Sequence, residues 1–367
     1  MPLFFLLFVL LVNIVAGFNA CNTSLRTHGS FDTTSCPPKD SNICGQIKLI
    51  FYNTENFFDT YDDSLYADEE FLPEGVMHWT YPKYKTKLDK ISKVIIAAGK
   101  WHPPDIIGLC EVENNHVLYD LTHNTPLIKY NYRFVHKNSP DARGIDVALL
   151  YNPATIRLLE SNFISVRFFN KVQKTTRDIL YCMCLVHNTD TLHVFVNHWP
   201  SRSGGQYETE PMRLYAAKIL RLTVDSLYIR FNNPKIVIMG DFNDEPDDKS
   251  LKVALQAVPP AENPAPQTLY NLAYRYADKK DIGTHKYKGQ WNILDQIIVS
   301  GELLLAEKGI ITGINCYSIF NESFLLETDT NFQGTEPFRT YKGPVYHGGF
   351  SDHLPVILDL YFKETSE

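Results

Sequence analysis

Six short polar clusters each follow an apolar segment, and their residue types suit one kind of chemistry. They combine carboxylates, side-chain amides and two histidines, and the sequence has neither a serine or cysteine nucleophile motif nor a glycine-rich phosphate loop. Such groups are typical of phosphoester hydrolysis assisted by a hard metal cation. The clusters are Asn53-Thr54-Glu55, Glu111-Val112-Glu113, His198, Asp241-Phe242-Asn243, Asp295 and Ser351-Asp352-His353.

The carboxylates among these residues suggest a cation site. Oxygen ligands such as Glu111 and Asp352 suit Mg²⁺, which binds few protein carboxylates and keeps several waters. The cation would polarise a phosphate oxygen and stabilise the charge that develops during hydrolysis. A histidine paired with a carboxylate can take a proton from water, or give one to a leaving oxygen, near neutral pH.

Each cluster also has an ordinary structural interpretation. Asp and Asn are common turn formers, so Asp241 and Asn243 could serve only to end a strand. His198, which precedes a Trp-Pro pair, could be a packed loop histidine, and Glu111 could lie on a solvated loop. We favour the functional interpretation because six clusters of matching chemistry occur in one chain, each after an apolar strand.

Hydrophobic periodicity predicts the elements that position these clusters. Apolar residues at three- and four-residue spacing predict one helix over 84–98 and another from about residue 211, where Pro211 suits the first turn. Segments 257–290 and 312–346 are interpreted as loop-rich insertions. Apolar runs predict strands, some close enough to form hairpins, at 47–52, 105–109, 132–136, 145–151, 179–186, 192–197, 235–239, 296–300 and 355–362.

Strands outnumber helices in this pattern, yet helices lie between them. This favours an α/β fold in which two β-sheets pack together with helices outside, in a single domain. A rigid scaffold of this kind can aim residues at strand ends into one cleft. Because the clusters from Asn53 to His353 must converge, we expect residues 46–367 to form one catalytic domain.

The composition is that of an ordinary globular protein. The chain has 367 residues, 44% of them hydrophobic, and a net charge of −7, which excludes collagen-like, coiled-coil and disordered classes. The acidic balance argues against binding polyanions by bulk charge, but it permits phosphate to be held by a few local cations or a metal. The acidic run from Asp59 to Glu70 is interpreted as a solvated loop, with a cation site as the alternative.

The N-terminus predicts export. Residues 3–18 are apolar apart from Asn13, and they are shorter than the roughly 20 residues of a membrane span. They match the apolar region of a secretory signal, although no Lys or Arg precedes it. We therefore expect a signal peptide at 1–17, a secreted product without stable membrane insertion, and a cysteine-containing extension at 18–45 held by disulfides.

The seven cysteines include no CxxC pair, which disfavours a zinc site. Their odd number leaves at least one thiol unpaired, and Cys110, at the end of an apolar strand, is the candidate. Cys182 and Cys184 share one face of a strand, from which each could bridge elsewhere. Sequons at Asn22 and Asn321 support glycosylation of an exported chain.

Taken in order, the clusters resemble those of the endonuclease/exonuclease/phosphatase superfamily, which includes deoxyribonuclease I, abasic-site endonucleases, neutral sphingomyelinases and inositol polyphosphate phosphatases. The likeness runs from about Ile47 to the C-terminus and is greater to secreted bacterial-type members of unassigned substrate. It implies a four-layer α/β/β/α sandwich with a cleft at one edge. The stretches that carry the closer likeness are 56–59, 68–71, 143–146, 198–202 and 243–246.

The resemblance also implies a metal centre. Glu111 corresponds to the main Mg²⁺ ligand, with Asn53 or Glu55 and Asp352 nearby. Mn²⁺ and Ca²⁺ are alternatives to Mg²⁺.

Roles for the remaining polar residues follow from the same resemblance. His353 would be the general base or a phosphate-stabilising histidine, oriented by Asp295. His198 would act as an acid or contact phosphate, whereas abasic-site endonucleases have Asn at that position. Asp241 and Asn243 would position water, the leaving group or a second metal.

We therefore expect a Mg²⁺-dependent phosphodiesterase, a monomer that hydrolyses DNA or RNA by in-line attack of water. Arg143 and Arg202 are candidate phosphate clamps, because a guanidinium fork fits phosphate oxygens. A sphingomyelinase-like lipid phosphodiesterase, for which segment 324–326 would offer apolar contacts, or a phosphatase on small phosphoesters is the alternative. A secreted binding or toxin-like protein that keeps the fold without turnover is a third interpretation.

Overall fold

Two seven-stranded β-sheets dominate the computed structural model of the protein. The structure describes residues 36–37, 43–100, 102–168 and 175–364, and all of these belong to one compact unit. Within these ranges no helix is long and apolar enough to cross a membrane. The predicted signal peptide (residues 1–17) lies outside the described residues, as does most of the predicted extension (18–45).

The regular structure of the described residues includes four α-helices and twenty strands, besides four short 3₁₀ helices and one π-helical turn. The helices are α1 (Tyr81–Gly99), α2 (Asn115–His123), α3 (Gln206–Arg230) and α4 (Gly301–Leu305). The strands are β1 (Ile43–Phe57), β2 (Ile106–Val112), β3 (Arg133–His136), β4 (Asp146–Tyr151), β5 (Ile156–Ile164), β6 (Ile179–Val186), β7 (Asp190–His198), β8 (Lys235–Asp241), β9 (Ala257–Val258), β10 (Leu269–Asn271), β11 (His285–Tyr287), β12 (Gln290–Asn292), β13 (Asp295–Ser300), β14 (Gly309–Ile311), β15 (Tyr317–Ile319), β16 (Leu326–Thr328), β17 (Thr335–Pro337), β18 (Tyr341–Lys342), β19 (Val345–Tyr346) and β20 (Val356–Lys363).

Each large sheet has one parallel strand pair at its centre. Sheet A has the order β14-β20-β1-β2-β4-β3, with β15 also paired to β20, and only its pair β1/β2 is parallel. Sheet B has the order β5-β6-β7-β8-β13-β10-β9, with β7/β8 and the short pair β9/β10 parallel. The short hairpins β11/β12, β16/β17 and β18/β19 lie outside both sheets.

Side chains of sheet B alternate between two apolar cores, because successive residues of a strand face opposite sides. Val194 and Val196 of β7 pack into the core shared with sheet A, whereas Phe195 between them packs in the core that contains α3. Helices α1 and α2 pack on sheet A. The resulting order of helix, sheet, sheet and helix confirms the predicted single-domain α/β/β/α sandwich.

The predicted strands and the first helix are confirmed with small shifts in their ends, but the start of the second helix was wrong. Helix α3 begins at Gln206, so Pro211 lies inside it and not in its first turn. The first five residues of α3 are mostly polar, which removes the apolar periodicity that would reveal them. The side chain of Arg213 donates to the Gln206 carbonyl oxygen at 3.0 Å, which ties the first turn of the helix to a residue two turns further on. Strand β5, helices α2 and α4, and the short strands β9–β12 and β14–β19 were missed.

One disulfide lies among the described residues, between Cys36 and Cys316. Cys110 is a buried free thiol, as predicted. The idea that Cys182 and Cys184 each bridge elsewhere was wrong: both are free and fully buried in the core between the sheets. They do share one face of β6, but that face packs against apolar side chains, so they serve as small hydrophobic residues.

Neighbouring atoms approach the backbone closely at Gly240 and Gly108, near the interface between the sheets. Alanine substitutions at these two glycines give a matched test of packing. A Cβ on Gly240 of β8 would lie 2.6 Å from the Asn197 carbonyl oxygen, whereas one on Gly108 of β2 would lie 2.7 Å from the flexible Cε of Met239. We expect Gly240→Ala to lower the free energy of unfolding by about 1–3 kcal/mol, because a backbone atom must move. Gly108→Ala should cost less, since the Met239 side chain can turn aside.

Urea denaturation of both variants measures this difference. Equal losses of stability would contradict the assignment of a rigid contact at Gly240 and a flexible one at Gly108.

Candidate active site

The strand register brings the predicted site residues to one edge of the sandwich. Parallel strands end at the same edge of a sheet, so β7 and β8 place His198 directly beside Asp241. On the other side of β8, Asp241 pairs with Asp295 at the start of antiparallel β13. In sheet A, parallel β1 and β2 pair Asn53 with Cys110, the residue before Glu111. The convergence predicted from the sequence is therefore a direct result of strand pairing.

The carboxylate of Asp241 lies at the centre of this arrangement. Its Oδ2 accepts a hydrogen bond from Asn53 Nδ2 at 3.0 Å, and its Oδ1 accepts one from the backbone N–H of Asn243 at 2.9 Å. The Nε2 atoms of His198 and His353 lie 3.7 and 3.9 Å from the same Oδ2. Burial raises the pKa of Asp241 to about 6, in spite of the opposing effect of the His353 charge. This value suits a group that exchanges a proton near neutral pH.

His353 is held by Asp295, as the resemblance implied. Its Nδ1 lies 2.6 Å from Asp295 Oδ2, and its backbone N–H donates to Ser351 Oγ at 3.1 Å. Burial acts to lower the pKa of His353, but Asp295 and Asp241 outweigh it and raise the pKa well above its ordinary value. The ring is therefore an imidazolium at neutral pH in this arrangement. That favours the phosphate-stabilising role over the general-base role.

The pKa of His198 is shifted in the opposite direction to that of His353. Burial, together with the positive charges of Arg177 and Arg143, holds its pKa well below the ordinary value. The ring is therefore neutral, which fits a contact to phosphate or water better than an acid. Its Nε2 also lies 3.8 Å from Glu111 Oε1.

Glu111 and Asp352 fit the predicted cation. Glu111 has a positive φ of 59°, a backbone conformation that is uncommon outside glycine and frequent at functional sites. Its Oε2 accepts the backbone N–H of Asn56 at 2.8 Å, which fixes the carboxylate. Burial lowers the pKa of the nearby Lys87 to about 8, and the charges of Glu55, Asp352 and Glu111 oppose this shift, so three carboxylates gather here. A divalent cation bound by oxygen atoms would neutralise this charge.

Glu55 is less suited to be a ligand than predicted. Its carboxylate accepts the backbone N–H groups of Thr340 at 2.6 Å and Tyr341 at 3.4 Å, and Arg339 Nε lies 3.5 Å away. Burial, followed by repulsion from Asp352, raises its pKa. These contacts show that the Glu55 carboxylate anchors segment 339–341. Asn53 is similarly occupied, since its Oδ1 accepts the backbone N–H of Glu55 at 3.0 Å.

Two other groups of metal-capable side chains have ligand atoms within 4.8 Å of one another in the described part of the chain. One is Asp241, Asp295 and His353, and the other is His285, Asp352 and His353. The predicted ligands Glu55, Glu111 and Asp352 do not form such a group together. Asp352 belongs to one of these groups, whereas Glu111 belongs to neither, so the assignment of Glu111 and Asp352 as ligands stays a prediction.

The two predicted phosphate clamps differ in their surroundings. The Arg143 side chain is 47% exposed, and its Nε lies 3.8 Å from Asp141. Arg202 instead donates to the Asn243 carbonyl oxygen at 2.7 Å and to Asp248 Oδ2 at 2.8 Å. Arg202 is therefore engaged in supporting the loop that carries Asn243, whereas Arg143 is available to a ligand. Asn243 itself donates Nδ2 to the Trp199 carbonyl oxygen at 3.1 Å.

Three residues of the site were not predicted from the sequence. Arg339 donates to Asp352 Oδ2 at 2.8 Å, so its guanidinium lies between Asp352 and Glu55. Lys87 of α1 is buried and donates to Thr340 Oγ1 at 2.6 Å and to the Phe350 carbonyl oxygen at 2.7 Å. The ring of His285 lies 4.7 Å from that of His353, centroid to centroid.

The acidic run from Asp59 to Glu70 was predicted to be a solvated loop, but part of it is buried. Asp62, Glu69 and Glu70 are exposed, but Asp59 and Asp68 are buried. The backbone N–H of Asp59 donates to Glu113 Oε2 at 2.6 Å. Burial, with a contribution from Asp59, raises the pKa of Glu113 to about 8, so this carboxyl is mostly protonated at neutral pH. Glu113 therefore holds the loop and lies outside the catalytic cluster.

Comparison with known proteins places this arrangement in a family. Residues 48–362 match the model of the endonuclease/exonuclease/phosphatase family. The chain belongs to this family. Among curated proteins, no sequence matches the chain.

Solved structures show the same endonuclease/exonuclease/phosphatase fold. TDP2 of D. rerio, crystallised with a single-strand DNA product, has a TM-score of 0.52 at 12% identity, covering 86% of this chain and 99% of its own. Family proteins of Bacteroides thetaiotaomicron (TM-score 0.51, 15% identity, 87% and 99% covered) and Bacteroides vulgatus (0.51, 13%, 87% and 100%) are similarly close. Family membership makes the protein a metal-dependent phosphoric ester hydrolase.

The charge state of His353 gives a direct test of the electrostatics. The folded-state pKa is raised above the unfolded value of about 6.5. The stability that His353 contributes is therefore complete below that pH, and it is lost as pH rises through the raised pKa. We expect the His353 ring in the metal-free protein to remain protonated at pH 7 by NMR, and Asp295→Asn to lower its pKa. A wild-type ring that titrates near pH 6.5, unchanged in the variant, would contradict this.

Proposed function

We propose that the protein is a secreted, Mg²⁺-dependent phosphodiesterase that hydrolyses phosphodiester bonds in nucleic acid. The observation that carries this proposal is the convergence on Asp241 of Asn53, His198 and His353, with Glu111 beside them. An ionisable base, Asp241, and a cationic ring, His353, are buried together, and the partly exposed candidate ligands Glu111 and Asp352 lie beside them. These are the parts that hydrolysis of a phosphodiester by water requires.

The residues divide the reaction between them. Asp241 takes a proton from the attacking water, whose oxygen forms a bond to phosphorus as the bond to the leaving oxygen breaks. The imidazolium of His353 donates a hydrogen bond to a phosphate oxygen and stabilises the charge that develops there. Asn53 keeps Asp241 oriented, and Asn243 fixes the loop after β8. Glu111 and Asp352 would hold the cation, which when bound polarises the phosphate.

The choice of nucleic acid over lipid rests on the surface near the site. Segment 324–326 was the candidate for apolar lipid contact, but Leu325 is buried and Phe324 packs on Phe350, with ring centroids 5.4 Å apart. The segment therefore offers no free apolar loop. A protein of the same fold, TDP2 of D. rerio, has been crystallised with single-strand DNA product. Both points support testing nucleic acids first.

Secretion is supported by the sequence. The apolar residues 3–18 end in small residues, at 15–17, that are suited to cleavage, and Asn321 of the second sequon is exposed. The Cys36–Cys316 disulfide is consistent with an oxidising compartment.

Plasmid nicking tests the activity. We expect the purified protein to nick supercoiled DNA with Mg²⁺, to stop in EDTA, and to recover when Mg²⁺ is restored. Asp241→Asn and His353→Ala should each lower the rate by about 10²–10⁴-fold, because each removes a proton-transfer or charge-stabilising group. Arg133→Gln, an exposed change outside the site, should leave the rate unaltered.

Nicking that persists in EDTA or in both site variants would contradict the proposal. No turnover on DNA, RNA, sphingomyelin or small phosphoesters would instead favour a binding protein.

The pH profile tests the role of Asp241. Its pKa is raised to about 6, and the deprotonated form is the base, so kcat/KM should rise as pH increases through about 6 and then level off. Asp241→Asn should remove this rise from the residual activity. Asp359→Asn is the control, because Asp359 forms its salt bridge with Lys48 outside the site. A rise that survives in Asp241→Asn would assign the base to another group.

A further inference from the structure

The short hairpin β11/β12 is tied to the catalytic cluster and to the segment behind it. His285 of β11 forms an isolated antiparallel bridge with His353, and the centroids of their rings are 4.7 Å apart. The next residue, Lys286, places its Nζ 2.8 Å from Asp329 Oδ2 and donates to the Gln333 carbonyl oxygen at 2.9 Å. The hairpin is therefore a fixed part of the wall around the site.

The register of the hairpin divides its side chains between two faces. Its cross-strand pairs are His285 with Asn292, Lys286 with Trp291, and Tyr287 with Gln290. Successive residues of a strand face opposite sides, whereas directly paired residues face the same side. The face with Trp291 packs against the apolar core. The other face carries a phenol ring, an imidazole and two amides, which belong to His285, Tyr287, Gln290 and Asn292.

These four side chains line one cavity, which has a volume of about 720 Å³. The cavity is also lined by Asn243, whose backbone N–H donates to Asp241 Oδ1 at 2.9 Å, so it adjoins the catalytic cluster. No carboxylate lies among the described residues of its wall, which leaves the wall without a group that repels a nucleotide. Burial lowers the pKa of His285 to about 3, so this ring is neutral.

The ring of Tyr287 is open to a ligand. Tyr287 is 60% exposed, and its hydroxyl has no hydrogen-bond partner among the described residues. The Lys288 ammonium lies 5.3 Å from the centroid of the ring. Lys288 and Gly289 both have positive φ, of 48° and 80°, as in the tight two-residue turns that hold hairpins together. Gln290, opposite Tyr287, is exposed too, and its amide makes no hydrogen bond to the described part of the chain.

A nucleobase matches both the ring and the amides. Every base has a π-face that stacks on an aromatic side chain. Every base also has donors or acceptors along its edge, and an amide side chain offers both kinds of group. Asn292 donates its Nδ2 to the Gln290 carbonyl oxygen at 3.1 Å, which leaves the Asn292 side-chain oxygen as an acceptor. An apolar ligand would leave these polar groups without partners.

We propose that Tyr287 stacks on the nucleobase next to the scissile phosphate, with Gln290 and Asn292 at the edge of that base. The proposal rests on the proposed function, which supplies the phosphodiester. It narrows the substrate class to nucleic acid with an unpaired base beside the cleaved bond. A base inside a duplex must first leave its stack, which costs energy, so single strands are the better substrates.

The first experiment compares kcat/KM for dithymidine monophosphate with that for two analogues, each of which has an abasic sugar in place of one nucleoside. We expect the wild-type protein to prefer dithymidine monophosphate to one analogue by about tenfold or more, because stacking of the base is lost. Tyr287→Ala should abolish most of this preference, and Tyr287→Phe, which keeps the ring, should retain it. The control is Tyr119→Ala, which removes an exposed tyrosine of α2 and should also retain it.

Tyr287→Ala removes an exposed side chain without a hydrogen bond, so the variant should fold with an unchanged melting temperature. A folded Tyr287→Ala protein that keeps the wild-type preference would overturn the proposal. Equal kcat/KM of the wild-type protein for all three substrates would overturn it as well.

A second experiment separates failure of the base site from failure of the proposed function. Fluorescein-labelled decathymidylate and an abasic decamer are titrated with wild-type and variant proteins in EDTA at one fixed ionic strength, since phosphate contacts depend on salt. Binding is followed by fluorescence anisotropy. Weaker binding of decathymidylate by Tyr287→Ala, with binding of the abasic decamer unchanged, supports the base site even when no substrate is hydrolysed, and in that case only the proposed function fails. If the wild-type protein does not bind decathymidylate more tightly than the abasic decamer, or no more tightly than Tyr287→Ala does, the base site is overturned, whether or not nucleic acid is cleaved.

Discussion

One buried hydrogen bond, from Asn53 to Asp241, joins the two sheets at the point where their functional strands end. It is 3.0 Å long and connects β1 of sheet A to β8 of sheet B. Both partners are fixed by other contacts: Ser351 Oγ donates to the Asn53 carbonyl oxygen at 2.7 Å, and the Asn243 N–H holds the other oxygen of Asp241. A relative shift of the sheets would break this bond and separate the groups that meet at Asp241.

Charge balance is the second constraint on the site. Glu55, Glu111 and Asp352 gather on one side, and buried cations from other parts of the chain compensate them. Burial lowers the pKa of Lys87 to about 8, although the three carboxylates act to raise it. Arg339 and the His353 imidazolium together hold the pKa of Asp352 below its ordinary value, against the effect of burial. Removing one partner of such a buried set is costly, because the other charge is left without compensation.

The sequence could predict the strands and the clusters at their ends, because alternating and continuous apolar runs give a clear signal. It could also predict the pairing of His353 with Asp295 through the family resemblance. Arg339 lies in the insertion at 312–346, where no periodicity fixes a position, so its place between two carboxylates required the structure. Lys87 did leave a signal: it lies three residues after Tyr84 and four before Ile91, on the apolar stripe of α1. A lysine there implies a buried partner.

The most direct test of the account is a double-mutant cycle between Asn53 and Asp241. It compares kcat/KM for bis(p-nitrophenyl) phosphate with Mg²⁺ in the wild-type protein, Asn53→Ala, Asp241→Asn and the double variant. If Asn53 acts by orienting Asp241, the double variant should lose little more activity than Asp241→Asn alone, because the two residues act as one unit. Losses that multiply would show that Asn53 and Asp241 act independently, and would contradict the central role of the bond between the sheets.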